Sequence, residues 1–214
     1  MSARAPSGSE RRRVRMVERQ LRRRGISDER VLEAMERVPR EAFVPPSLVD
    51  HAYDDAALPI GDDQTISQPY IVAAMCELLS LQGSESVLDV GTGSGYAAAV
   101  LDELAASVVS VERIERLAER ARQALAATGH AEVEVRVADG SLGAPDRAPF
   151  DAIAVAAATP AIPQALYEQL ADGGRMVLPL GGPGGQRLVR VLRAPGGPVE
   201  TASLGCRFVP LVTE

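Results

Sequence analysis

The chain has 214 residues, 46% hydrophobic and 24% charged, which is ordinary globular usage with length enough for one sizeable core. Its formal charge of −6 argues against a general nucleic-acid binder. All 23 basic residues are Arg, and the lack of Lys excludes a Schiff base, a pyridoxal-phosphate anchor and a P-loop lysine.

Residues 1–9 read as a loose tail without the apolar stretch of a signal peptide. From Glu10 to Arg24 the spacing of Val14, Val17 and Leu21 predicts a helix, Arg-rich and best read as a solvated face. Gly25 ends it, and Asp28 caps a second helix through Val38. Residues 47–66 have turn composition. Gln68 to Leu79 predicts a helix with Pro69 in its first turn.

From Ser86 short apolar runs alternate with helical stretches. Strands are expected at 86–91, 107–112, 132–137, 150–156, 174–180, 186–193 and 201–208, and helices near 95–106, 113–128 and 161–170. Such alternation implies right-handed βαβ units and a mostly parallel sheet. The last two strands, with only Gly and Pro between, should pair antiparallel. Residues 10–82 are read as a helical extension and 83–214 as the core of one α/β domain.

Two cysteines, Cys76 and Cys206, lie far apart, and with His51 and His130 they cannot form the usual zinc sets. No metal is expected, and cysteine usage points to a reducing, cytoplasmic setting. The longest uncharged stretch, Ala152 to Tyr167, is broken by Pro160 and Pro163 and is too short to cross a bilayer.

The strongest local pattern is the strand Val87–Val90 running into Gly91-Thr92-Gly93-Ser94-Gly95, a turn that lets backbone N–H groups approach a ligand. The dinucleotide fingerprint would need Gly where Tyr96 stands. With Asp89 two residues before the turn, the string resembles the first motif of Rossmann-like methyltransferases that bind S-adenosylmethionine (SAM). Glu112 ends the next strand 21 residues after Gly91, where an acid can accept from ribose hydroxyls. Asp139-Gly140, past the third strand, resembles the turn that holds the adenine edge in this superfamily.

The segment ahead of that turn narrows the reaction. Val38-Pro39-Arg40-Glu41-Ala42-Phe43-Val44-Pro45, then Gln64-Thr65-Ile66-Ser67-Gln68-Pro69-Tyr70, and the closing Arg207-Phe208-Val209-Pro210-Leu211 resemble protein-L-isoaspartate O-methyltransferases. The resemblance implies transfer of the SAM methyl to the free α-carboxylate of isoaspartyl residues, leaving S-adenosylhomocysteine. It implies that the Ser67 hydroxyl orients that carboxylate, against the plainer reading of a helix cap. It implies that Thr65, Ile66 and Gln68 shape the substrate pocket, that Pro69 and Tyr70 line the methionine end of SAM, and that the Val209 main chain pairs with an extended peptide. Asp89 either holds the SAM amino group through water or steadies its own turn. The partners implied are isoaspartyl proteins and peptides, met by a monomer, with no nucleic acid or membrane. The family usually has Gly where Asp63 stands. A relative dedicated to one peptide, or a SAM-binding module without turnover, are the competing readings.

Overall fold

In the computed structural model, which describes residues 7–182 and 184–212, Ser7 opens the first helix. Its side chain accepts from Glu10 N while the Glu10 carboxylate takes the Ser7 N–H, a reciprocal cap that starts α1 at Gly8–Met16. Residues 8 and 9 of the expected tail are therefore helical, and residues 1–6 lie outside the described ones. The helix widens into a π turn (Val17–Leu21), tightens into a 3₁₀ turn (Arg22–Arg24) and stops at Gly25, φ +99°. Met16, Val17 and Leu21 are buried, whereas Val14 is 47% exposed. The wider π register corrects the expected stripe by turning Met16 inward in place of Val14. Then follow α2 (Glu29–Arg37), capped by Asp28, and α3 (Pro69–Leu79), with Pro at its first position.

Between them lies a hairpin that turn composition conceals. β1 (Leu58–Gly61) pairs antiparallel with β2 (Gln64–Ile66), so 47–66 is not all loop. Its two turn residues, Asp62 and Asp63, both have positive φ, +55° and +56°. Two such residues match the twist of a tight hairpin. This explains why Gly suits position 63, and Asp63 is exposed. Asp62 is held by Arg116 and Arg120.

The main sheet comprises β3 (Ser86–Val90), β4 (Ser107–Glu112), β5 (Glu134–Val137), β6 (Phe150–Val155), β7 (Leu170–Gly182), β8 (Gly185–Ala194) and β9 (Gly197–Cys206). Its order is β5-β4-β3-β6-β7-β8-β9, parallel through β7 and antiparallel for the last two pairings. α4 (Tyr96–Asp102), α5 (Glu115–Ala127) and α6 (Gln164–Glu168) fill the crossovers. Two strand expectations shift. α6 is half the expected helix, because the chain is already extended at Leu170, and β9 begins four residues early, across a two-residue turn.

Alternate strand residues enter two clusters. Val87, Val108, Ala152 and Val177 join one with the N-terminal helices, while Leu88, Val109, Ile153 and Met176 join the other. Both faces are thus covered, as a parallel sheet requires. The first cluster runs from Met16 to Leu188, so residues 10–82 share a core with the sheet. At its edge Glu85 accepts from the N–H groups of Gln82, Gly83 and Ser84 and pairs with Arg175, which also donates to the Leu79 and Ser80 carbonyls at the end of α3. Among the described residues no helix is long and apolar enough to cross a membrane.

Candidate functional site

In this topology the chain leaves β3 toward β4 on one side and reaches β6 on the other, which opens a crevice at the carboxyl ends of those strands. A cleft of about 770 Å³ lies there. Val90, Gly91, Val111, Glu112, Ala156 and Ala157 come from the three strand ends.

The glycine turn forms one wall. The Gly91 and Thr92 N–H groups donate to Val111 O at 2.9 and 3.3 Å, which docks the turn on β4. Gly93 N donates to Glu112 Oε2 at 2.8 Å, and Ile114 N to Oε1 at 3.0 Å. These bonds fix the acid at the rim, with lone pairs left for further donors. Gly91 and Gly93 have φ of +95° and +54°, and both line the cleft with Ser94. Gly95 faces elsewhere, since a Cβ there would meet Ala121 Cβ at 3.2 Å. Its role is the close approach of α4 to α5.

Asp89 and Thr92 lie behind the wall. Ser110 Oγ donates to Asp89 Oδ2 at 2.7 Å and lies 2.5 Å from Thr92 Oγ1. Burial pushes the Asp89 carboxyl up to about 6, against the lowering effect of the Ser110 hydrogen bond. Its Oδ1 is buried without a partner among the described residues. Asp89 does not line the cleft and reaches Thr92 of the turn through Ser110. Gly140 lines the cleft, whereas Asp139 caps the short 3₁₀ turn after β5 by accepting from Ser141 N.

The opposite wall is the segment after β2. Gln64, Thr65, Ile66, Ser67 and Gln68 all line the cleft. The N-cap of α3 is Gln68, and no side chain caps it. The Ser67 hydroxyl is therefore not spent on the helix and has no hydrogen-bond partner among the described residues. Pro69 and Tyr70 are not brought to the wall. Pro69 is buried at the helix start, and Tyr70 stacks under Arg24, 3.9 Å from guanidinium carbon to ring centre.

The third wall is the segment from Gly205 to Val212. Gln186 clamps it by accepting from Phe208 N at 2.6 Å and donating to Phe208 O at 3.1 Å. Val209 O accepts from Ala158 N at 2.8 Å, and Leu211 N donates to Ala158 O. The Val209 N–H has no partner among the described residues. Among the described residues no group of three His, Cys, Asp or Glu could hold a metal ion.

The sequence profile of the protein-L-isoaspartate(D-aspartate) O-methyltransferases matches residues 11–214. The chain belongs to this family. Protein-L-isoaspartate O-methyltransferase 2 of Marinobacter nauticus is 60% identical over 201 residues, 93% of this chain and 92% of its own. A solved protein-L-isoaspartate O-methyltransferase is 29% identical with a TM-score of 0.85, and the match covers 94% of this chain and 66% of that one. A Plasmodium falciparum structure titled as a protein-L-isoaspartate O-methyltransferase in complex with S-adenosyl-L-homocysteine shares the fold, with a TM-score of 0.82 at 22% identity over 94% of this chain and 98% of that one. Residues 64–68, whose string marked the family resemblance in the sequence, form the wall across from the glycine turn. Arg40, within another of these strings, was not singled out by sequence reasoning, yet it lies fully buried and donates to the Ser67 carbonyl at 2.8 Å.

Proposed function

We propose that this chain is a SAM-dependent protein-L-isoaspartate O-methyltransferase, which methylates the free α-carboxylate of isoaspartyl residues in damaged proteins. The ester then closes to a succinimide, and hydrolysis returns part of the chain to normal aspartate. Family membership over residues 11–214 supports the activity. The observation that carries the site is Ser67, with its uncommitted hydroxyl, on one cleft with Gly91, Gly93 and Glu112.

The residues present suit SAM. Gly91, Gly93 and Ser94 offer a wall without bulk, Glu112 a rim carboxylate for ribose hydroxyls, and Gly140 a bare place against Val90. When bound, SAM supplies an electrophilic methyl group on a sulfonium with its own leaving group. A carboxylate of pKa about 4 is already ionised at pH 7, so the protein need supply no general base. The task is alignment and exclusion of water, and positioning of this kind can supply roughly 7–11 kcal/mol. Ser67 would orient the carboxylate, Thr65, Ile66 and Gln68 shape its pocket, and the Val209 N–H take a carbonyl of the substrate chain. Main-chain pairing of that sort tolerates many sequences. Asp89, Thr92, Gly95 and Asp139 would serve by holding the turns in place. On this reading the chain from α1 onward is one domain that acts as a cytoplasmic monomer, and sedimentation tests the monomeric state.

The deciding experiment is methyl transfer from labelled SAM to matched peptides with isoaspartate or aspartate at one position. Only the isoaspartyl peptide should be labelled. Ser67→Ala should bind S-adenosylhomocysteine normally and turn over at least about tenfold more slowly, about 1.4 kcal/mol. Unchanged turnover in a folded variant removes Ser67 from the mechanism. Transfer to neither peptide by the unaltered enzyme refutes the activity.

A further inference from the structure

Arg40 has no solvent exposure, although it carries a charge. Its Nε donates to Ala52 O at 2.7 Å and its Nη2 to Ser67 O at 2.8 Å. The guanidinium carbon stands 4.8 Å from the ring centre of Tyr96, a residue of the cleft wall. Nη1 is buried without a hydrogen-bond partner among the described residues. No Asp or Glu pairs with it among the described residues, and the titratable groups beside it are the tyrosines 53 and 96, whose hydroxyls burial keeps neutral. Burial brings the guanidinium down to about 10, so it remains cationic at neutral pH.

A buried cation without a counter-ion costs several kcal/mol, and two neutral carbonyls offset only part of this. Packing alone would favour an apolar side chain of similar volume. The charge instead sits against the main chain of Ser67, whose hydroxyl has no partner among the described residues on the wall across from the glycine turn.

We propose that Arg40 is a positioning residue for methyl transfer: it pins Ser67 through its carbonyl and holds an uncompensated positive charge behind the carboxylate subsite. The proposal rests on the reading of Ser67 as the carboxylate's partner. The bridge from Ala52 O to Ser67 O fixes the main chain ahead of α3 before any substrate arrives. The incoming carboxylate then completes the charge balance in a region where Coulomb interactions are stronger than in water. The methyl ester is neutral, so the same charge no longer retains the product.

Kinetics of the unaltered enzyme, Arg40→Met and Arg40→Lys with an isoaspartyl peptide test this, together with calorimetric binding of S-adenosylhomocysteine. Arg40→Met should raise the peptide KM at least tenfold while S-adenosylhomocysteine affinity stays within threefold. Arg40→Lys keeps the cation and should bring KM back to within threefold of the unaltered enzyme. A purely structural residue would lower thermal stability and leave the KM of the folded fraction unchanged, and that result overturns the proposal. A Lys variant as impaired in KM as the Met variant refutes the role of the charge. If Arg40→Met does not fold, ¹⁵N NMR of the unaltered enzyme decides. The Arg40 Nε–H signal should move when an isoaspartyl peptide is added with S-adenosylhomocysteine, and not with the aspartyl peptide; a signal unmoved by both overturns the proposal. Failure of the unaltered enzyme to methylate either peptide is a distinct result, which removes the underlying reading and this proposal with it.

Discussion

Glu85→Gln should destabilise the fold by about 3 kcal/mol at pH 7. Burial of this 7% exposed residue works to raise its pKa, but Arg175 at 2.9 Å and the N–H groups of Gln82, Gly83 and Ser84 at 2.9–3.1 Å outweigh it and hold the carboxyl at about 2. At 1.36 kcal/mol per pH unit, a fall from 4.5 to about 2 corresponds to about 3 kcal/mol. Because the folded-state value is depressed, this contribution is complete above about pH 4.5 and is lost as pH falls toward 2. Gln keeps the shape but not the charge, and it leaves Arg175 without its counter-ion. Urea unfolding at pH 7 should show the loss, with a Tm lower by ~6–12 °C. The gap between variant and unaltered protein should narrow as pH drops below 4.5. Adding Arg175→Met should cost less than the sum of the single changes, since each alone strands a buried partner. Equal stability at pH 7, or a gap that persists unchanged into acid, would refute the reasoning.

Asp63→Gly should stabilise by roughly 0.5–1 kcal/mol in thermal unfolding, because φ of +56° strains a residue with a Cβ, and activity should be unchanged. Gly93→Val and Gly95→Val should differ in kind. The first has room, with Ile60 Cδ1 at 3.5 Å and Gly91 O at 3.8 Å from its Cβ; it should lose S-adenosylhomocysteine binding in calorimetry and lose stability only by the strain of a side chain at φ +54°. The second drives a side chain into the α5 backbone at 3.4 Å and should unfold at markedly lower temperature. Asp89→Asn should flatten the stability profile between pH 4 and 6. There the raised carboxyl sheds its proton at a total cost of about 3 kcal/mol, and urea midpoints across that range report it.

Most of the α/β order was legible because β3, β4 and β6 are apolar runs bounded by turn residues and buried on both faces, whereas β5, β8 and β9 are mixed and less buried. The β1–β2 hairpin was not, because strands of four and three residues show too little periodicity, and Pro59 sits inside one. Its alternation of buried Leu58 and Ile60 was there to be read, as was the Asp-Asp turn. The glycine turn was legible because spacing and chemistry agree. That Gly95 packs helices while Gly93 lines the cleft depends on where Ala121 lies, which spacing does not disclose. Nothing in the residues around position 40 distinguishes a buried Arg from a surface one, since its partners are carbonyls 12 and 27 residues onward.

The clamp of Gln186 on Phe208 bears on how the molecule acquires competence during synthesis. The cleft takes one wall from residues 64–68 and another from residues 205–212. A nascent chain that has emerged only as far as β8 holds the glycine turn, Glu112 and Ser67, yet lacks the third wall. Such late, long-range closure is entropically slow. A ribosome-bound intermediate thus holds two walls of the cleft before the third has been made.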